Sequence, residues 1–436
     1  VVLLRNFLNI FRIPELTKKL LFTLGVLIIY RIGSFIPVIG VNVPLLAEHM
    51  GKMGAMGGVL RYLDMLSGGS LQKCTLFALG IGPYITASIM MQMLSMTVPS
   101  LELLMKEGEY GRRIINQYTR YVALGLSVAY SLGYASYLEH AGFALTPGFG
   151  FKLLFVLSLT VGAMLVMWLG EQISQFGIGN GSSMIIFAGI VSQFPTYLIK
   201  TIAAVQMGNM LSIIAVLLLL IFIALTACIV YLEKGDRKIP VQYARRVVGQ
   251  RVYGGQSSYI PFKINTAGVM PVIFAGSVLN IPVFVATMLA DRFEIFKSLS
   301  AYLTHGSFVF NVLQFGLIVF FTYFYTALVF NPAELADQMK KNGGFVPGIR
   351  PGKKTAEFFA YILDRIGLVG AVYLAILALL PNLLISFFPG MPFYLGGTSL
   401  LIVVGVALEF SSQIESYLIE HRYEGFLTAG RLKGGR

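Results

Sequence analysis

The side chains with a capacity to act that this sequence concentrates are cationic and aromatic. Between Glu233 and Lys263, Arg237, Lys238, Arg245, Arg246 and Arg251 are interleaved with Tyr243, Tyr253 and Tyr259. That mixture suits contacts with phosphate and stacking on RNA, or a large acidic partner. A second basic segment, NGGFVPGIRPGKKT from Asn342 to Thr355, sets Arg350 between two Pro-Gly steps, with Lys353 and Lys354 beside it. Proline fixes φ and glycine opens the turn, so a stiff protruding tip is expected. Catalytic groupings are missing. The four histidines, His49, His140, His305 and His421, fall in separate polar segments, and no H-E-x-x-H, no G-x-x-x-x-G-K-[ST] and no clustered carboxylates occur. FGIGNGS, at residues 176–182, has no G-x-G-x-x-G register and no strand before it, which makes it a tight turn between helices. Neither an enzyme nor a cofactor or metal site is expected.

The elements that must position these groups are apolar. The chain has 436 residues, 56% hydrophobic and 12% charged, with a mean hydropathy of +0.76, whereas a soluble domain is about a quarter charged. The bilayer must be the solvent. A span needs roughly 20 apolar residues to cross about 30 Å of hydrocarbon, and ten such runs begin near Leu20, Leu71, Tyr121, Leu153, Met184, Met210, Thr266, Phe308, Ile366 and Thr398. Lipid offers backbone polar groups no water and the alternation of a barrel is absent, so the runs are expected as helices of an all-α polytopic membrane protein. In residues 1–19, Arg5, Arg12, Lys18 and Lys19 interrupt any cleavable signal, and Leu4, Phe7, Leu8 and Phe11 at helical spacing read as an amphipathic interfacial segment. Cys74 and Cys228 lie in or beside spans, so no disulfide framework is expected.

The net charge of +13 is uneven along the chain. With the amino terminus on one side, that side collects the basic residues of the first segment, of residues 106–113, of both loops described above and of the tail from Arg422. By the positive-inside rule both termini are cytoplasmic. Topology alone accounts for such an asymmetry; the two interleaved loops carry more than topology requires, which favours docking.

Ionisable residues within spans are few: Arg31 near the far end of the first, Asp364 and Arg365 before the ninth, and Glu409 within the tenth, the one that reads as deep. A solute transporter is the alternative to a channel, since the second run is broken at Gly80, Gly82 and Pro83, and discontinuous helices also bind solutes. Met53–Gly69, MGAMGGVLRYLDMLSGG, is too polar and too rich in glycine to cross, yet Val59, Leu60, Leu63 and Leu66 fall at helical offsets. It fits an ordinary extracytoplasmic loop or a short helix folded back into a cavity.

Six segments in this order resemble the SecY family: LGIGPYITASIMMQML (79–94), KEGEYGRRIINQYTRY (106–121), GIGNGSSMIIFAGIV (177–191), INTAGVMPVIFAGS (264–277), NPAELADQMKKNGGFVPGIRPGKKT (331–355) and YLGGTSLLIVVGVALEF (394–410). The resemblance implies ten transmembrane helices in two pseudo-symmetric halves, spans 1–5 (residues 20–199) and 6–10 (200–419), around an hourglass pore. Cytoplasmic loops at 233–263 and 331–357 and a cytoplasmic tail at 420–436 complete that layout. It also implies a multi-pass channel of the bacterial cytoplasmic membrane that passes unfolded secretory polypeptides and releases transmembrane segments sideways into membrane lipid, with no energy source of its own.

By the same resemblance residues 53–69 are a plug, with Val59, Leu60, Arg61, Leu63, Asp64 and Leu66 in its short helix. Ile85, Ile89, Ile186, Ile190, Ile273 and Ile402 map onto a pore ring; composition alone would make them core or lipid-facing. Spans 2, 3, 7 and 8 become a lateral gate, with Thr86, Gln92, Asn280 and Ile281 at its seam, although the polar ones equally fit routine interhelical hydrogen bonds. Arg237, Lys238, Arg245, Arg246, Arg251, Arg350, Lys353 and Lys354 become docking residues for the motor SecA or the ribosome. SecE is implied as an obligate partner, with SecG, signal sequences and nascent polypeptides.

Overall fold

The computed structural model describes residues 13–50, 64, 67–208, 211–243, 246–248, 251–253, 257–289, 298–299, 302–303, 307–387 and 397–431. The expected amphipathic positions Leu4, Phe7, Leu8 and Phe11 lie outside them. In chain order the helices are α1 (Pro14–Gly33), α2 (Val43–Met50), α3 (Gly82–Thr97), α4 (Pro99–Lys106), α5 (Glu109–His140), α6 (Phe149–Phe176), α7 (Gly181–Gln206) and α8 (Ser212–Glu233). Four strands follow, β1 (Asp236–Tyr243), β2 (Arg246–Val248), β3 (Arg251–Tyr253) and β4 (Ser257–Lys263), then α9 (Met270–Leu289), α10 (Phe308–Val329), α11 (Pro332–Lys341), β5 (Gly344–Phe345), α12 (Lys353–Phe387) and α13 (Gly397–Arg431).

Each of the ten apolar runs therefore carries a helix. Six of the described helices are long and apolar enough to cross a bilayer, seven if the pair α3–α4, bent by 99°, is counted as one broken span. The bend has a local cause: Val98 precedes Pro99 and takes an extended conformation, which ends α3.

One compact unit comprises Val1–Ala203, Asn280–His305 and Val406–Arg436. Within it α5 packs against α3 and α6 through a stripe repeating every fourth residue, including Gly111, Ile115, Thr119, Ala123, Ser127, Ser131 and Ala135. Small side chains at that spacing let helix backbones approach where no hydrophobic effect drives association. Ala87, Ala123 and Met167 form the apolar contact among the three helices. The second apolar run differs from expectation: residues 71–81 are successive turns, and the helix starts only at Gly82, with Pro83 in its first turn. This non-helical stretch lies directly on α6, where a Cβ added to Gly162 would meet the Leu76 carbonyl oxygen at 1.9 Å.

The second unit, Ala204–Leu279 and Gly306–Gly405, holds a sheet that the periodicity did not announce. Its order is β4-β1-β5, antiparallel throughout, so the two basic loops are joined: Gln242 pairs with Phe345 and Tyr243 with Gly344. Ile239 and Val241 alternate inward from β1 and meet Phe262, Met339, Val346 and Phe359 in one core over α11 and α12. Pro240 is tolerated because β5 pairs only with residues 242 and 243, leaving the edge of β1 open at that point. Asn331 caps α11, its Oδ1 accepting from the Ala333 and Glu334 amides, and Pro332 opens the first turn.

Two changes test this packing. Gly162→Ala should sharply lower the monodisperse fraction recovered by size-exclusion chromatography, while Gly125→Ala, with open space at its Cβ, should leave it unchanged. Phe262→Ala, at a fully buried position, should cost about 3–5 kcal/mol and make the strands susceptible to limited proteolysis.

Candidate functional site

Asp64 and the turns from Ser67 to Ile81 are buried at Asp64, Ser67, Ser70, Leu71, Cys74 and Ile81, and because residues 67–81 are not helical their carbonyls take donors from turn amides and from side chains of neighbouring helices. Three helices supply side-chain donors, one of them α5, whose Tyr134 hydroxyl donates to Leu71 O at 3.2 Å. From α1, the Tyr30 hydroxyl donates to Ser67 O at 3.2 Å and Arg31 Nη1 donates to Gly68 O at 3.2 Å. From α7, Gln193 Nε2 donates to Asp64 O at 3.3 Å, and the Gln193 Oε1 accepts from the Tyr197 hydroxyl at 2.5 Å. The stem closes on itself as well, with Gly69 N donating to Asp64 O at 2.8 Å and Ser70 Oγ to Ser67 O at 2.8 Å. Gly68 (φ +70°) touches Gly189 backbone to backbone, and an added Cβ would lie 2.8 Å from the Gly189 Cα. Cys74, at φ 44°, is the one non-glycine residue in the left-handed region among the described residues; its Sγ meets the Tyr134 hydroxyl at 3.1 Å.

The Asp64 carboxyl is buried and its Oδ1 accepts from the Gln72 amide at 2.9 Å. Burial pushes its pKa up from 3.8 to about 6, against the opposing pull of the Gln72 and Leu71 amides and of the Lys73 and Lys200 charges. The other plug positions expected from the sequence, Val59, Leu60, Arg61, Leu63 and Leu66, lie outside the described residues.

Of the six isoleucines, Ile85 and Ile89 on α3 and Ile186 and Ile190 on α7 are buried in the first unit; Ile273 on α9 and Ile402 on α13 are buried in the second. Thus α7 carries both the stem contacts and an i, i+4 isoleucine pair. At the expected seam, Thr86 donates to Gly82 O at 3.1 Å and is bonded to Tyr130 of α5. Gln92 bonds Ser88 of its own helix at 3.4 Å, leaving Oε1 buried without a partner in the described structure. The side chains of Asn280 and Ile281 lie outside the described residues. Glu409 on α13 is exposed, and its neighbour Phe410 packs against the buried Leu16 and Ile178.

In the second unit the interleaving of charge and aromatics becomes cross-strand contact. Arg237 and Lys238 are exposed on β1, and the Lys238 ammonium lies 5.0 Å from the Tyr259 ring centre on β4. Arg246 on β2 is opposite Tyr253, and Arg251 on β3 is opposite Val248; their side chains, and all of Arg245, lie outside the described residues. Arg350 is exposed on a tight turn built by Gly348 (φ +82°) and Gly352 (φ +102°) and tied by the buried Thr355, whose Oγ1 donates to Arg350 O at 2.9 Å. Lys353 and Lys354 are exposed, the latter paired with Glu357 at 2.9 Å.

These features define a polytopic helical membrane protein whose second apolar run enters as a non-helical stem fastened by α1, α5 and α7, and whose inter-span loops present a basic sheet and tip. Comparison with known proteins narrows the class. The SecY family model matches residues 75–411. The protein translocase subunit SecY of Escherichia coli (strain K12) is 43% identical over 426 residues, 96% of each chain. Among solved structures, a protein conducting channel aligns with TM-score 0.68 at 19% identity over 92% of both chains. A SecY structure concerned with the plug domain aligns with TM-score 0.65, also at 19% identity and 92% of both. Sec61 in a canine ribosome-channel complex aligns with TM-score 0.62 at 18% identity, covering 92% of each. The chain belongs to the SecY family.

Residues that sequence reasoning missed are Tyr30, Gly189, Gln193 and Tyr197; the Gly68-Gly69 pair was the available signal for a close backbone approach.

The Asp64 shift has a definite sign. A carboxyl whose folded pKa is raised favours the seated stem below its ordinary value near 3.8, and that contribution is lost as pH rises through about 6. Amide exchange at Gly69 and Gln72, corrected for intrinsic chemistry, should therefore be slowest near pH 4 and quicken between pH 4 and 7, with Asp64→Asn abolishing the dependence.

Proposed function

We propose that the chain is the pore-forming subunit of a protein translocase in the bacterial cytoplasmic membrane, with both termini in the cytoplasm. The observation that carries this reading is its near full-length likeness to a protein named as a translocase subunit. Unfolded secretory polypeptides pass through the pore, and sufficiently apolar segments leave sideways into lipid, each Leu, Ile, Phe or Val contributing a few tenths of a kcal/mol.

In this reading Ile85, Ile89, Ile186, Ile190, Ile273 and Ile402 form an aliphatic constriction that closes around a chain and excludes water and ions. Residues 53–69, anchored by the stem, seal the resting pore. Thr86, Gln92, Asn280 and Ile281 line the seam through which a signal sequence opens the gate; the unpaired Gln92 oxygen is a polar group that an arriving segment or water could satisfy. Arg237, Lys238, Arg245, Arg246, Arg251, Arg350, Lys353 and Lys354 receive the ribosome or SecA, a reading supported by the exposed, glycine-built turn under Arg350. SecE clamps the two halves and SecG joins them. Energy comes from these partners, since no nucleotide motif is present in the sequence.

Deleting residues 54–67 should raise ion conductance through the resting channel in a planar bilayer; unchanged conductance would contradict the plug. With SecE, SecA and ATP in vesicles, Arg350→Glu should slow protease protection of a signal-bearing precursor roughly tenfold, the equivalent of about 1.4 kcal/mol in docking. Normal transport with Arg350→Glu would remove that residue from the docking surface.

A further inference from the structure

The contacts on the stem are of two kinds. Tyr30 and Arg31 hold Ser67 and Gly68 where Gly68 is already pressed against Gly189. No side chain fits between those backbones, so this end is an anchor. Gln193 reaches the same turn from the side of α7, where its Nε2 donates to Asp64 O and lies 3.1 Å from where a Cβ on Gly69 would be. It makes a neutral, 3.3 Å bond to a carbonyl that also accepts from Gly69 N. Such a bond biases an equilibrium and breaks readily.

The Gln193 amide has one workable orientation. Asp64 O has no proton, so the amide NH2 must face it, and the Tyr197 hydroxyl then fills the opposite oxygen at 2.5 Å. Gln193 also lies three residues after Ile190, on the neighbouring position of the same helix face. Force applied to Ile190 is thereby transmitted to the helix that carries the amide.

We infer that Gln193, oriented by Tyr197, is the positioning residue that latches the plug's carboxyl-terminal end to α7 in the resting channel and lets go when a polypeptide loads the constriction. This rests on the channel reading above. Gln193 does not touch the passing chain; it acts through Asp64. Because the donor is an amide and not a cation, release leaves no buried charge behind.

The test uses the full chain reconstituted with its partner subunits in planar bilayers, with resting conductance as the readout. Gln193→Ala, and Gln193→Glu, which keeps the length but has no N–H to donate at neutral pH, should each raise conductance about fivefold over the parent, the factor expected from losing one such bond. Tyr197→Phe, which removes only the orienting hydroxyl, should raise it less. Thermal stability and the rate of precursor transport should stay at the parent's values in all three, which a general loosening of the fold would not allow. Deletion of residues 54–67 is the reference. If the deletion leaks while all three variants conduct like the parent, the latch is overturned and the plug stands. Should the deletion itself not leak, the plug reading fails and the latch fails with it.

Discussion

A backbone carbonyl removed from water must have a donor, and the rest of this structure depends on how that requirement is met between Asp64 and Ile81. Most of the apolar runs meet it as helices; the second opens with turns whose carbonyls take backbone donors, Leu71 O from Cys74 N and Cys74 O from Val38 N, while the polar stretch just before it draws on side chains of its neighbours. Tyr30, Arg31 and Gln193 cover Ser67, Gly68 and Asp64, and the buried Asp64 carboxyl accepts from the turn at Gln72. A polar segment is thus held among apolar helices without being one. The same bonds tie α1 and α7 to the start of α3, and α3 and α7 carry four of the isoleucines assigned to the constriction.

The second unit solves a different problem, that of presenting charge on a rigid support. The basic loops would be mobile if independent, but β1 pairs with both β4 and β5, and Phe262, Phe359 and Met339 give the sheet an apolar floor on α11 and α12. Arg237 and Lys238 are then fixed relative to the Gly348–Gly352 turn that carries Arg350, all within one compact unit. A docking partner would meet a surface whose ordering entropy has already been lost on folding.

Much of this was legible in the sequence and some could not have been. Apolar length located runs that each carry a helix, six or seven of them long and apolar enough to span, and the break before Pro83 was visible as Gly80, Gly82 and Pro83 together. The stiff turn at Arg350 was visible for the same reason, since Pro-Gly steps constrain φ locally. The sheet was hidden: β1 contains Pro240, β4 contains Pro261, and the pairing of Tyr243 with Gly344 joins segments a hundred residues apart in chain order. The stem contacts were hidden more deeply, because their acceptors are main-chain carbonyls, which every residue has.

Whether a polypeptide travels past the isoleucines of α3 and α7 is the central claim, and it is measured most directly by placing a photoreactive amino acid there. With a precursor arrested midway in vesicles containing the chain and its partners, a probe at Ile89 or Ile190 should crosslink to the precursor, and a probe at the exposed Leu217 of α8 should not. Equal crosslinking at all three positions, or none at Ile89 and Ile190 while the precursor is arrested, would contradict the account.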